Sequence, residues 1–106
     1  APDRLRFDFS HFDAVDEDTL RDIERQVNWA IQRNIRRQED RNVPYDEAME
    51  RGAMALFDEQ YGDRVRVITF DPEFSVELCG GTHVEATGEI GFFRFLSEGS
   101  VASGVR

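Results

Sequence analysis

The sequence predicts an α+β fold: one long helix and one or more short helices packed on a mainly antiparallel sheet. Three observations lead there. Leu20, Ile23, Val27, Ala30, Ile31 and Ile35 recur at three- and four-residue steps, the stripe of an amphipathic helix. Residues 64–70 are rich in β-branched side chains, and residues 74–78 alternate apolar with polar, both patterns of strands. These helix and strand signals do not alternate as a parallel α/β chain requires. The 106 residues are read as a single domain, large enough to remove roughly 65% of its unfolded surface from water.

In chain order, Arg4-Leu5-Arg6-Phe7-Asp8-Phe9 alternates polar and apolar and predicts a first strand with Leu5, Phe7 and Phe9 on its buried face. A loop follows to Val15. Asp16 is the expected N-cap of the long helix, with Glu17 and Asp18 at the positive end of its dipole. Arg33, Arg36 and Arg37 fall near its C-terminal end, where cations compensate the dipole. Residues 38–42 continue as an exposed strand or a loop. Pro44 suits the first turn of a second helix that Gly52 would end, and residues 53–61 are apolar enough for another helical turn. Gly62-Asp63 is a turn. The strands at 64–70 and 74–78 come next, separated by Asp71-Pro72. Gly80-Gly81 breaks the second, and residues 89–96 form a third strand candidate.

Charge bounds the function. There are 22 acidic residues against 13 basic ones, a net charge of −9, and every basic residue is Arg. That balance argues against a free-standing nucleic-acid binder, which is normally basic, and repels other polyanions. An acid-rich, Lys-free composition fits adaptation to high salt or a coding bias toward Arg. Nine Phe argue against disorder. No apolar run approaches the roughly 20 residues of a membrane helix. Charges of both signs in residues 1–8 argue against a secretory leader. The single cysteine excludes an internal disulfide framework and fits a reducing, cytoplasmic setting.

The chemistry concentrates in one segment. Cys79 and His83 lie four positions apart across Gly80-Gly81, and thiolate and imidazole are both zinc ligands. The glycines would let the backbone aim both side chains at one point. Spacing alone leaves other readings open: a small buried cysteine beside a hydrogen-bonded histidine, or a Cys–His nucleophile pair with the Gly-Gly amides as oxyanion donors. His11 is the remaining histidine, isolated after the first strand, and is not assigned. A structural zinc site takes four protein ligands and a catalytic one three, so the chain looks one or two ligands short.

Cys79-Gly80-Gly81-Thr82-His83-Val84 resembles the Cys-Gly-Gly-Thr-His signature of the alanyl-tRNA synthetase editing domain. Arg4-Leu5-Arg6-Phe7-Asp8-Phe9-Ser10-His11 is similar to the opening of that region. Gly52-Ala53-Met54-Ala55-Leu56-Phe57 and Tyr61-Gly62-Asp63-Arg64-Val65-Arg66-Val67 resemble its middle. Thr87-Gly88-Glu89-Ile90-Gly91 and Ser100-Val101-Ala102-Ser103-Gly104-Val105-Arg106 resemble its end. Threonyl-tRNA synthetases carry a related domain without the Gly-Gly-Thr run.

The resemblance implies that residues 1–106 are the C-terminal portion of such an editing domain. Its substrates would be tRNA(Ala) mischarged with serine or glycine, hydrolysed by zinc-assisted deacylation. ATP and Mg²⁺ would serve only the separate aminoacylation domain. Cys79 and His83 would be two zinc ligands. The family's other two, in a His-x-x-x-His motif, would lie upstream of Ala1, which implies an inactive fragment. Thr82 and Glu77 are weak catalytic candidates. Glu77 lies two residues before Cys79, on a strand face that could equally be buried or paired with an Arg. Gly80 and Gly81, with the cluster around Arg36 and Arg37, are the candidate contacts to the tRNA acceptor end. The parent's other domains are the expected protein partners, with no membrane partner. A non-catalytic structural fragment and a free-standing trans-editing deacylase are the alternatives.

Overall fold

The computed structural model describes residues 4–55, 61–100 and 102–106. The elements run α1 (Glu17–Gln32), β1 (Gln38–Pro44), α2 (Tyr45–Glu50), β2 (Arg64–Phe70), β3 (Ser75–Leu78) and a 3-10 turn at Thr87–Ile90. The three strands form one antiparallel sheet in the order β1-β2-β3, so the α+β expectation holds. The chain divides into two compact units, Ala1–Asn28 with Phe93–Arg106, and Trp29–Phe92.

The second unit is built on β2. Its β-branched run lets a central strand bury side chains on both faces, and Val65, Val67 and Ile68 are all buried. Val65, Val67 and Leu78 of the sheet pack with Val43, Ala48 and Ala53. The β1–β2 register shifts between Asp40 and Val43, where Asn42 takes φ 57°. This bulge tightens the path into Pro44, which ends an edge strand, where a missing N–H costs no ladder bond. Pro44 is the N-cap of α2 rather than a residue of its first turn. Gly52 closes α2 as expected. At φ 80° its N–H reaches the Met49 carbonyl at 3.0 Å, and the Ala53 N–H reaches that of Ala48 at 3.2 Å, a Schellman closure.

Residues 53–55 are not helical, against the expectation. Met54 lies along the outer edge of β3, its N–H donating to Val76 O and its carbonyl accepting from Leu78 N, both at 2.9 Å. These pairings satisfy a backbone edge that a helical turn would leave open. The remainder of that expected turn, at 56–60, lies outside the described residues.

The long helix stops at Gln32, short of Ile35, because Asn34 adopts φ 49°. Asn34 then accepts the Gly88 N–H at 3.1 Å. Thr87 is buried and ties the crossing together: its hydroxyl donates to Ala30 O at 2.6 Å and accepts from Ile35 N at 2.7 Å. The last turn of α1 holds no basic residue, so the dipole reading of Arg33, Arg36 and Arg37 is corrected. Arg33 instead pairs at 2.7 Å with Asp71 in the β2–β3 turn.

In the first unit, Asp16 caps α1 as expected, its carboxylate accepting the Thr19 N–H at 2.8 Å. Two expected strands are absent. Residues 4–9 form no ladder, and Leu5 and Phe7 are 77% and 62% exposed. Pairing begins only at Phe9, which exchanges backbone bonds with Arg106 at 2.7 and 2.8 Å and is followed by the Ser10–Val105 bridge, so residues 4–8 have no neighbouring strand among the described residues to bury the apolar face. Residues 89–96 open with the 3-10 turn and then run extended without a ladder. Side chains of α1 replace the missing strand partner. Asn28 exchanges bonds with Phe93 N and O at 2.8 and 2.9 Å, and Glu24 accepts Phe95 N at 2.7 Å.

Candidate metal centre

Leu78 ends β3 fully buried, which turns the flanking residues Glu77 and Cys79 to the opposite face of the strand. That face is half-buried, not closed, so the expected objection to Glu77 does not apply. After the turn at 80–82 the chain returns His83 to the same place. One ligand atom from each of Glu77, Cys79 and His83 lies within 4.8 Å of the others, the one such group found among the described residues. The spread is somewhat wider than the donor spacing of a tetrahedral zinc ion with bonds of about 2.0–2.3 Å, so modest side-chain rotations would close it.

The donors look prepared for a ligand. His83 Nε2 is buried with no hydrogen-bond partner, while Phe70 stands 6.3 Å from the imidazole ring and shields it. An unmade hydrogen bond of this kind costs about 1–3 kcal/mol unless something occupies it. Cys79 Sγ accepts the Gly81 N–H at 3.3 Å. Glu77 makes no ion pair among the described residues, so the expected pairing with an Arg is not found. Thiol, imidazole and carboxylate are a zinc donor set, and three protein ligands leave a fourth position for water or substrate.

The glycines act differently from the expectation. Neither takes a left-handed backbone, and a Cβ at Gly80 would meet nothing within 4 Å. A Cβ at Gly81 would lie 3.5 Å from Cys79 Sγ, so it is Gly81 that keeps the approach to the thiol open. Thr82 is exposed beside them.

Arg66 and Glu39, two residues not read as functional in the sequence, surround the loop together with Arg37, which was expected to contact tRNA. Arg66 donates from Nη1 to the carbonyls of Cys79, at 3.1 Å, and Gly81, at 2.5 Å. Its Nε meets Glu39 at 2.7 Å. Arg37 donates to the His83 carbonyl at 2.8 Å and lies 3.9 Å from Glu39. The bond from Arg66, with Arg41 also close, holds the Glu39 carboxyl below the usual carboxylate range, and Glu39 in turn raises Arg66. An Arg inside the apolar β2 run was the visible signal for this arrangement. Arg36 is exposed and, among the described residues, pairs only through its backbone with Ala86, so Arg36 and Arg37 differ in their engagement. His11 belongs to the first unit, its ring tilted against that of Phe9 with centroids 6.3 Å apart, and joins no ligand group among the described residues.

Residues 65–106 match the threonyl and alanyl tRNA synthetase second additional domain. The alanine–tRNA ligase of Salinibacter ruber is 85% identical over 106 residues, all of this chain but 11% of that protein. That of Cytophaga hutchinsonii is 62% identical over 96% of the chain and 12% of its own length. That of Carboxydothermus hydrogenoformans is 57% identical over 99% and 12%. The segment that matches a synthetase second additional domain thus contains Glu77, Cys79 and His83. The chain belongs to the alanine–tRNA ligase family, and it spans 11–12% of the length of these relatives.

Proposed function

We propose that the chain is the metal-bearing part of an editing domain in an alanine–tRNA ligase, and that this domain hydrolyses tRNA(Ala) mischarged with serine or glycine. The convergence of Glu77, Cys79 and the unpartnered His83 Nε2 carries the reading. The need is physical. A synthetic site that admits alanine cannot exclude the smaller glycine and rejects one added hydroxyl poorly, so a second sieve is required.

Cys79 and His83 would hold zinc, with Glu77 as a third donor rather than a general base. Zinc supplies Lewis-acid orientation of the aminoacyl end or of a water. The chain's own residues bind and position. The space over Gly80 and Gly81 admits the 3′ end of the acceptor, and the exposed Thr82 hydroxyl is a hydrogen-bond partner for the ester or the amino acid. Hydrolysis adds water to the ester carbonyl, breaks its bond to the ribose oxygen, and leaves the proton on that oxygen. Arg36, exposed and with no side-chain partner among the described residues, would be the member of the Arg36–Arg37 pair that meets phosphate.

The parent would attach alanine to tRNA with ATP and Mg²⁺ in a different domain. It would act in the cytoplasm, with its own other domains as protein partners. No helix among the described residues is long and apolar enough to cross a membrane. The large ligases among the relatives favour this reading over a free-standing deacylase.

The test compares Ser-tRNA(Ala) and Ala-tRNA(Ala) hydrolysis by the parent ligase with that of its Cys79→Ala variant. Selective loss of Ser-tRNA(Ala) deacylation, with aminoacylation intact, is expected. Unchanged deacylation would refute the reading.

A further inference from the structure

Past Leu78 the chain leaves the sheet, and the residues at 80–82 are exposed. A loop with so little packing would ordinarily sample many conformations. Yet its alternate carbonyls are all taken. Those of Cys79 and Gly81 accept from the single Nη1 of Arg66, and that of His83 accepts from Nη1 of Arg37. Both guanidinium groups face the same carboxylate, Glu39, which comes from β1. The side chains of Glu39, Arg66 and Arg37 retain only 17%, 21% and 24% exposure, so water screens them less than it does a surface pair.

We propose that Glu39 is a positioning residue for the metal centre, acting through Arg66 and Arg37 to fix the separation of Cys79 and His83. This rests on the metal-bearing reading above. The chemistry suits the task. A guanidinium presents several donors in a rigid plane, so Arg66 can hold two loop carbonyls from one edge while its Nε stays on Glu39. A lysine carries the charge but not that geometry. Arg37 fixes the other end of the loop, and one carboxylate orients both ends. Arg41 supplies an internal control. It pairs with the same Glu39 oxygen at 2.7 Å, is 76% exposed, and touches no loop carbonyl among the described residues.

The experiment is a Co²⁺ titration of the full chain under reducing conditions, following ligand-field and thiolate-to-cobalt bands. The variants are Glu39→Gln, Arg66→Lys and Arg41→Met, each checked by circular dichroism and thermal midpoint. Glu39→Gln and Arg66→Lys are expected to weaken Co²⁺ binding roughly tenfold to a hundredfold, the usual effect of losing an outer-sphere partner. They should also shift the ligand-field bands. Arg41→Met should bind as the wild type does.

Wild-type affinity and bands in both Glu39→Gln and Arg66→Lys would overturn the proposal while leaving the metal site standing. Equal weakening by Arg41→Met would overturn it too, by showing a charge effect without positioning. A wild-type chain that binds no Co²⁺ would remove the metal reading itself, and the positioning role with it. Should Glu39→Gln unfold, Glu39→Asp keeps the charge, shortens the reach by one methylene, and must still weaken binding.

Discussion

The imidazole of His83 and the thiol of Cys79 bring ligand atoms within 4.8 Å of each other, and the His83 ring keeps a buried Nε2 without a partner. A buried polar atom is normally paired, because its lost hydration is otherwise uncompensated. The arrangement is therefore poised for an ion. Zn²⁺ at about 100 times its dissociation constant is expected to stabilise the chain by about 2.7 kcal/mol. Thermal unfolding with and without metal checks this, and Cys79→Ala should abolish the shift.

Three glycines separate fold from site. A Cβ at Gly88 would overlap the Asn34 side chain that accepts the Gly88 N–H. Gly88→Ala is expected to cost about 1–3 kcal/mol, the range for overpacking, seen as a lowered thermal midpoint. Gly80→Ala meets nothing within 4 Å and should leave the midpoint unchanged. Gly81→Ala, whose Cβ would lie 3.5 Å from Cys79 Sγ, should instead slow the proposed Ser-tRNA(Ala) deacylation by the parent, because it crowds the thiol.

Thr87→Val keeps the shape of a buried side chain but removes its two hydrogen bonds, leaving Ala30 O and Ile35 N without that partner. A loss of about 1–3 kcal/mol is expected, measured by denaturant unfolding at constant m-value.

Local features of the chain are legible in its sequence, and features that need a distant partner are not. Features set by nearby residues were legible: the Asp16 cap, the Gly52 closure, and β2 from its β-branched run. Residues 4–9 and 89–96 carry equally good strand patterns but form no ladder, since alternation describes a face and cannot supply a partner. The site followed the same rule. Cys79 and His83 declare themselves by residue type and spacing. Glu77 shares their side of β3 by simple alternation, but only the buried Leu78 shows which face stays open. Glu39, Arg37 and Arg66 could not be read as a group, because the bulged β1–β2 register brings them together.

Acid should weaken the chain through its ion-paired carboxylates. Glu39 is held low chiefly by its bond from Arg66, Asp71 by its bond from Arg33, and Glu98 by its bond from Arg106. Each has a folded pKa below its unfolded value, so the stability it confers is full above about pH 4–4.5 and is lost as pH falls through the folded value. Unfolding midpoints measured from pH 6 to pH 3 should fall in the acid range, and Glu39→Gln should flatten part of that fall. A profile that rises toward pH 3 would contradict the assignment.

Zinc K-edge X-ray absorption on the metal-loaded chain tests the central claim most directly. One sulfur at about 2.3 Å with nitrogen and oxygen donors at about 2.0–2.2 Å is expected, with the sulfur shell lost in Cys79→Ser and the nitrogen contribution reduced in His83→Ala. A zinc shell without sulfur, or one unchanged by both substitutions, would show that Cys79 and His83 do not form the metal centre.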